Sequence, residues 1–375
     1  MKHEANNKPI RWNVFIPCFL VIGGAALLGI VNNAWLTSVT SSIFGWSLST
    51  FGWLYQMVAM VTLLLAILLT FTKVGKIRFG GPEAKAKYSF GSWFAMTLTG
   101  GIATGLITYG VNEVLIYFGN IYGELDALGI QPYSDEAAWF SMGRCFYNWT
   151  FIPYAMYALS GVLIAYMYFN RKKDLSVAAS LTPIFGDRVT KGIWVVLVDV
   201  LSVLAIALGL AASLGAGLAL IGTGLHWQIA GKADIIAAIN EGGAVAGIWE
   251  FLKQIPLGFI IIPVIILALI AAFSTTADTM STTIAALCTK GARHDEEPAV
   301  WQKIVWGVSI GVIACVMVAF GGGAQGVDGV KYLAACGGFV VLAVFILQVA
   351  AAYKVFFFDP ETKKDIVDSV DQIEE

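Results

Sequence analysis

Long apolar runs separated by short charged segments are the main pattern in this sequence. Most of the runs hold about 20 residues or more, which at about 1.5 Å per helical residue is enough to cross a bilayer. They predict eight transmembrane helices, at 13–32, 50–72, 92–118, 143–169, 193–225, 257–287, 304–320 and 332–356. The expected fold class is therefore an all-α integral membrane protein. Its transmembrane domain spans 13–356, between an N-terminal tail at 1–12 and a C-terminal tail at 357–375.

The composition supports this class. Hydrophobic residues make up 58% of the chain and charged residues only 13%, against roughly 25% charged residues in soluble domains. The mean hydropathy is +0.76. With a net charge of −2 and no basic patch outside the loops, nothing favours a nucleic acid as partner, and membrane lipid is the expected surrounding. The five cysteines are scattered, without metal-binding or redox spacing, and are expected to fill helix faces.

The charges between the apolar runs divide into two sets. The N-terminal tail, the segments 73–87, 171–191 and 290–303, and the end of the chain hold 19 of the 23 basic residues. The segments that alternate with these hold the other four basic residues. One of them, 119–141, carries four acids without a lysine or arginine. Basic residues accumulate on the cytoplasmic side of membrane proteins. We therefore predict a plasma-membrane protein with both termini in the cytoplasm and an external linker at 226–256.

An aromatic cluster near one end of the fourth run is the first candidate site. Trp149, Tyr154 and Tyr157 follow one another at spacings of five and three residues, so one continuous helix would place all three on a single face. The faces of aromatic rings attract a quaternary ammonium group. The sequence therefore suggests a cage for an organic cation. The alternative is an aromatic cluster packed against neighbouring helices, or an interfacial belt.

The third run contains a glycine-rich motif, Thr99 to Gly105, in the middle of the predicted span. Gly101 and Gly105 have the spacing of a close helix-packing motif. The alternative is a broken helix whose freed carbonyls coordinate an ion or line a substrate pocket. Glu113 follows towards the outer end of this run and is expected to have a structural role rather than to carry protons.

The sixth run places Asp278 among hydroxyl residues that include Thr275, Thr276, Thr279 and Ser281. An acid within a membrane span is costly, so it indicates a functional site. Hydroxyl and carbonyl oxygens suit a small hard cation such as sodium, although these hydroxyls can also bond back to their own helix. Asp199, in the fifth run, is expected to be buried in the bundle. No nucleophile–base pair, phosphate loop or metal cluster is present in the sequence, so we do not expect an enzyme or an organic cofactor.

These motifs resemble the betaine/carnitine/choline transporter family. Residues 100–113, GGIATGLITYGVNE, are similar to its glycine-rich broken helix, and residues 148–166 to its His-Trp-x-x-x-x-Trp-x-x-Tyr helix. Asn148 stands in place of the histidine and Tyr154 in place of the second tryptophan, whereas Trp149 and Tyr157 are kept. Further similarity is found at 181–188, 208–218, 236–257 and 274–281.

The resemblance implies an ion-coupled secondary transporter of quaternary ammonium compounds such as glycine betaine, choline or carnitine, with a leucine-transporter-like inverted repeat. It implies a substrate site at Trp149, Tyr154 and Tyr157. It also implies a sodium site formed by the backbone carbonyls of Thr99 and Ile102 and the hydroxyls of Thr275 and Thr276. Gly101, Gly105 and Asp278 are further candidate site residues. Association with further copies of the chain is left open.

The chain departs from the family in its number of helices. Family members have twelve spans, whereas this chain passes from the equivalent of the fifth helix, at about Trp227, into the loop before the tenth. The first five family helices would occupy 13–225 and the last three 257–356. The Trp-Trp-x-x-Trp helix that completes the family's aromatic cage is then missing. The alternative function is that of a shortened, non-transporting membrane paralogue that acts only by associating with partners.

Overall fold

The computed structural model describes residues 9–86, 88–93, 113–212, 227–254, 263, 277–291, 297–320 and 324–374. Within these ranges the regular secondary structure is helical, apart from an isolated antiparallel bridge between Ile10 and Thr289. The all-α prediction is therefore confirmed for the part of the chain that is described. Among the described residues, three stretches are long and apolar enough to cross a membrane, namely Trp12–Phe71, Asp135–Phe169 and Tyr332–Phe358. Gly192–Ala207 and Val300–Ile313 are shorter apolar helices.

The first helix, α1, runs from Trp12 to Phe71 and is kinked at Asn32. Asn32 has non-helical dihedral angles (φ −154°, ψ 73°), and its side-chain oxygen accepts a hydrogen bond of 3.1 Å from the backbone N–H of Trp35. This is the contact that an N-cap residue makes with the helix that it starts. The kink thus lies at the end of the first predicted span. Residues 33–49, between the first two predicted spans, are helical and continuous with the second.

The fourth predicted span, 143–169, is divided between two helices. Helix α2 runs from Asp135 to Trp149 and α3 from Phe151 to Phe169, with Thr150 in a non-helical conformation between them (φ −117°, ψ −102°). Pro153 gives a physical reason for the break. Proline has no N–H to donate to the carbonyl four residues earlier, here that of Trp149, and its ring clashes with that carbonyl in a continuous helix. In the first turn of a new helix the same proline is tolerated.

The remaining helices follow in chain order. They are α4 Val177–Ser180, α5 Thr182–Phe185, α6 Gly192–Ala212, α7 Ile235–Lys253, α8 Val300–Phe320, α9 Ala324–Phe358 and α10 Pro360–Glu374. Residues 277–287 form a further helical stretch. The linker 226–256 thus contains the helix α7, and the C-terminal tail forms the helix α10.

Helix α1 lies at the centre of the described packing. Its first part packs around the fully buried Trp306 of α8, together with α6 and residues 284–288. Its second part contacts α9, where Leu65 and Leu69 meet Leu159 of α3 and Val355. Two hydrogen bonds between polar side chains also join α3, α9 and α4. The Ser160 hydroxyl donates to Gln348 at 2.5 Å, and the Gln348 amide donates to Ser180 at 3.0 Å.

The segments that carry most of the basic residues gather at one end of the bundle. Asn170 donates to the carbonyl of Arg78 at 3.2 Å and to Asp365 of α10 at 3.2 Å. Arg171 lies 2.5 Å from Asp359, and the backbone N–H of Lys290 donates to the carbonyl of Pro9 at 3.0 Å. Segments 73–87 and 171–191 therefore meet the C-terminal helix, and the N-terminal segment meets residue 290. The charge pattern requires these basic segments to lie on one side of the membrane, and these contacts are consistent with that requirement.

The predicted topology can be tested by accessibility labelling of single cysteines in a variant without native cysteines. Lys76 and Lys363 are exposed at the basic end, and Asp126 and Glu136 are exposed in the acidic segment 119–141. We expect Lys76→Cys and Lys363→Cys to react with an impermeant reagent only after the membrane is opened. Asp126→Cys and Glu136→Cys should react in intact cells. Equal reactivity of Lys76→Cys and Asp126→Cys in intact cells would contradict the topology.

Candidate functional site

The aromatic candidate site is built around a buried carboxylate. Glu113 is only 7% exposed and lies in the helical residues 113–118. Its Oε1 accepts hydrogen bonds from the Asn148 amide at 2.7 Å and from the Tyr117 hydroxyl at 3.2 Å. Its Oε2 accepts a hydrogen bond from the indole N–H of Trp149. The Asn148 amide also donates to the Tyr117 oxygen at 2.9 Å, which closes the network.

Local sequence explains why α2 can bring Asn148 and Trp149 to this carboxylate. The helix begins at a capping serine, Ser134, whose hydroxyl accepts from the Ala137 N–H at 3.1 Å. Asp135 and Glu136 lie in its first turn, where their negative charges stabilise the helix because they face the positive end of its dipole. Ala137 and Cys145 are buried in an apolar cluster with residues 114–118 and α7. The last turn of α2, which carries Asn148 and Trp149, is thereby held beside Glu113.

The structure places the three predicted ammonium-binding residues in two groups. Trp149 is half-buried at the end of α2 and hydrogen-bonded to Glu113, whereas Tyr154 and Tyr157 lie on α3. The two tyrosine rings contact each other edge to face, with centroids 6.3 Å apart, and they are 48% and 73% exposed. The expectation that all three share the face of one continuous helix is therefore wrong, because the helix breaks at Thr150. Their assignment to a substrate site stays a prediction.

The predicted sodium ligands, Thr99, Ile102, Thr275 and Thr276, lie outside the described residues, as do Gly101 and Gly105. Asp278 is described and is exposed, in the helical stretch 277–287. The neighbouring Ser281 hydroxyl donates back to the carbonyl of Ala277 at 2.6 Å, which is the structural alternative for this hydroxyl. Within the described ranges, no group of three or more His, Cys, Asp or Glu side chains could hold a metal ion.

A second charged site lies at the basic end of the bundle. The side chain of Asp199 on α6 is fully buried, as expected from the sequence, and its Oδ2 lies 2.6 Å from Nη1 of Arg11. The same Arg11 nitrogen donates to the carbonyl of Leu287 at 3.0 Å, and the Arg11 backbone N–H donates to Cys288 at 2.8 Å. Arg11 and Asp199 line a polar cavity of about 650 Å³, together with Lys191 and Lys290.

Sequence reasoning missed the partners that define both sites. It expected Asp199 to be buried, which the structure confirms, and it expected a structural role for Glu113, but it gave neither the Arg11 contact nor the Trp149 hydrogen bond. The spacing of Glu113 and Tyr117, four residues apart, was the one local signal available, because such residues are neighbours on a helix. The other contacts join segments that are distant in the sequence.

Most of the chain is similar to one family of known proteins. A sequence profile of betaine/carnitine/choline family transporters matches residues 13–229 and 219–360. The two matched segments overlap at 219–229, which includes Trp227, where the resemblance placed the passage from the fifth helix to the region before the tenth.

Several curated relatives are similar to this chain. An ectoine/hydroxyectoine transporter of Virgibacillus pantothenticus is 30% identical over 248 residues, which are 66% of this chain and 46% of the transporter. Glycine betaine transporter 1 of Vibrio parahaemolyticus is 34% identical over 214 residues, 56% of this chain and 39% of that protein. The glycine betaine transporter OpuD of Bacillus subtilis is 28% identical over 215 residues, with coverages of 57% and 41%. The chain thus spans less than half the length of these relatives.

Proposed function

Since this chain belongs to the betaine/carnitine/choline transporter family, we propose that it is a membrane carrier of small quaternary ammonium compounds. The observation that carries the proposal is the family match itself, which extends over both halves of the chain, from residue 13 to residue 360. Relatives are named as transporters of glycine betaine and of ectoine. Glycine betaine, choline and carnitine are the first substrates to test, with transport across the plasma membrane and both termini in the cytoplasm.

The aromatic residues support this substrate class. The aromatic rings of Trp149, Tyr154 and Tyr157 lie within a stretch of nine residues that contains a helix break. The side chains of Tyr154 and Tyr157 are exposed. A trimethylammonium group has no N–H to donate, so aromatic faces and a nearby carboxylate are the groups that recognise it. Glu113, whose carboxylate accepts from the Trp149 indole, supplies that negative charge.

Coupling to sodium is the second part of the proposal. It is supported by residue type, because Thr275 and Thr276 offer hydroxyls and the glycine-rich stretch that includes Thr99 and Ile102 offers carbonyls. Oxygen ligands of this kind suit a hard monovalent cation at a discontinuous helix. A homo-oligomer and surrounding lipid are the proposed partners.

Titration of tryptophan fluorescence tests the substrate site. Glycine betaine should change the signal of the whole chain, and Trp149→Leu should weaken binding about ten-fold, because a desolvated ring face contributes about 1–2 kcal/mol. Tyr157→Phe keeps the ring face and should bind glycine betaine almost as tightly as the wild type. Tyr157→Leu removes the ring and should bind it more weakly. Tert-butylacetate, which has the shape of glycine betaine without the cationic nitrogen, should give a much weaker response. An unchanged affinity in Trp149→Leu would contradict the site.

The alternative function, a non-transporting paralogue that only associates with partners, is favoured by one observation. The chain spans less than half of its relatives' length, and alternating access requires two bundles that move against each other around a site. Ligand binding without transport in reconstituted vesicles is the result that would favour this alternative.

A further inference from the structure

The carboxylate of Glu113 accepts hydrogen bonds from the side chains of two residues in the last turn of α2. Two consecutive residues of that turn, Asn148 and Trp149, donate to different oxygens of the same carboxylate. Hydrogen bonds to an ionised acceptor are about twice as strong as those between neutral groups. α2 ends at Trp149, whose side chain packs against the apolar cluster formed by residues 114–118 and α7. The hydrogen bond to Glu113 adds a directional restraint on the indole N–H at this helix end.

The hydrogen bond also changes the electronic character of the ring. When an indole N–H donates to a carboxylate, electron density moves towards the ring and its face becomes a better partner for a cation. The carboxylate also adds its own negative charge at the edge of the ring, beside the N–H. Because Glu113 is 7% exposed, both effects operate where water screens them little. Trp149 is half-buried rather than fully enclosed.

We propose that Glu113 is a positioning residue for cation recognition, which holds the Trp149 indole in place and increases the negative potential of its ring face. The inference rests on the proposed function, because it assigns to Glu113 a role in that same site. It also gives Asn148 a role: its amide joins Glu113 to Tyr117, at 2.7 and 2.9 Å, and so fixes the carboxylate that holds Trp149.

The test combines ligand affinity with a direct signal from Trp149. The full chain is labelled with fluorotryptophan and reconstituted in nanodiscs, and its fluorine resonance is assigned as the one that Trp149→Phe removes. In Glu113→Ala this resonance should shift while the other tryptophan resonances stay in place. Affinity for glycine betaine should fall about ten-fold, and the preference for glycine betaine over tert-butylacetate should fall with it. A merely structural role would move resonances throughout the protein and leave that preference intact.

Two further variants keep the test decisive. Glu113→Gln retains one acceptor and the size of the side chain but not the charge, so its affinity should lie between those of wild type and Glu113→Ala. If Glu113→Ala does not fold, Glu113→Gln serves for the same comparison. Glu136→Gln, an exposed acid in the first turn of α2, is the matched control and should change neither signal.

The outcomes separate this inference from the proposed function. If wild type binds glycine betaine and Glu113→Ala and Glu113→Gln bind it equally well, the positioning role is wrong while the proposed function stands. If wild type binds none of glycine betaine, choline and carnitine, the proposed function fails and the positioning role in recognition falls with it. Loss of affinity together with a selective shift of the Trp149 resonance supports both.

Discussion

Replacing Arg11 with alanine is expected to destabilise the folded protein by about 3–5 kcal/mol, because it leaves a buried carboxylate without its counter-charge. The side chain of Asp199 has no exposed surface, and Arg11 lies 2.6 Å from it. Within the described part of the chain, neither carboxylate oxygen of Asp199 has a hydrogen bond of good geometry. The charge of Arg11 is therefore the main compensation for burial of this acid.

A second ion pair provides a matched control for Arg11→Ala. Lys173 and Asp187 are also 2.6 Å apart, but their side chains are 32% and 60% exposed. Lys173→Ala should change the melting temperature little, since exposed ion pairs contribute little to stability. The double variant Arg11→Ala/Asp199→Asn should recover much of the loss, because it removes the uncompensated charge. Thermal melting in detergent measures all three, and equal losses for Arg11→Ala and Lys173→Ala would contradict the account of burial.

Truncation of Trp306 to alanine is the second large effect that we expect, with a loss of about 3–5 kcal/mol. Trp306 is fully buried where α1 and α8 meet, and its ring packs edge to face on Phe15 with centroids 5.1 Å apart. Its indole N–H has no hydrogen-bond partner among the described residues. Trp306→Phe keeps most of the apolar volume and removes only an unsatisfied donor, so it should cost much less than Trp306→Ala.

Trp301 on the same helix is the control for this prediction. Its ring also lies near Phe15, with centroids 6.0 Å apart, but it is 45% exposed. Trp301→Ala should therefore shift the melting temperature far less than Trp306→Ala. If Trp306→Phe were as damaging as Trp306→Ala, the indole N–H would have an essential partner, and the description of this core would be wrong.

The helical segments were predictable because their signals are local. Length and hydropathy of the apolar runs indicate membrane helices without any knowledge of packing. The kink at Asn32 and the break before Pro153 also depend on residues within one helical turn, an N-cap side chain in one case and a missing N–H in the other. Continuous apolar composition concealed both interruptions, since hydropathy does not distinguish one helix from two consecutive ones.

The long-range contacts could not be predicted in the same way. Asp199 was identifiable as a buried acid, but the sequence pattern around it does not show that Arg11 is its partner. Likewise Glu113 and Trp149 are 36 residues apart, and only the packing of α2 against segment 113–118 brings them together. Such pairings depend on tertiary structure, and residue spacing carries no information about them.

Transport measured in reconstituted liposomes tests the central claim most directly. The purified chain should accumulate radiolabelled glycine betaine when an inward sodium gradient is imposed, and it should accumulate much less when potassium replaces sodium outside. Trp149→Leu should lower uptake at low substrate concentration and recover part of it at high concentration. Uptake by the wild-type chain no greater than that of protein-free liposomes, for glycine betaine, choline and carnitine alike, would contradict a carrier function.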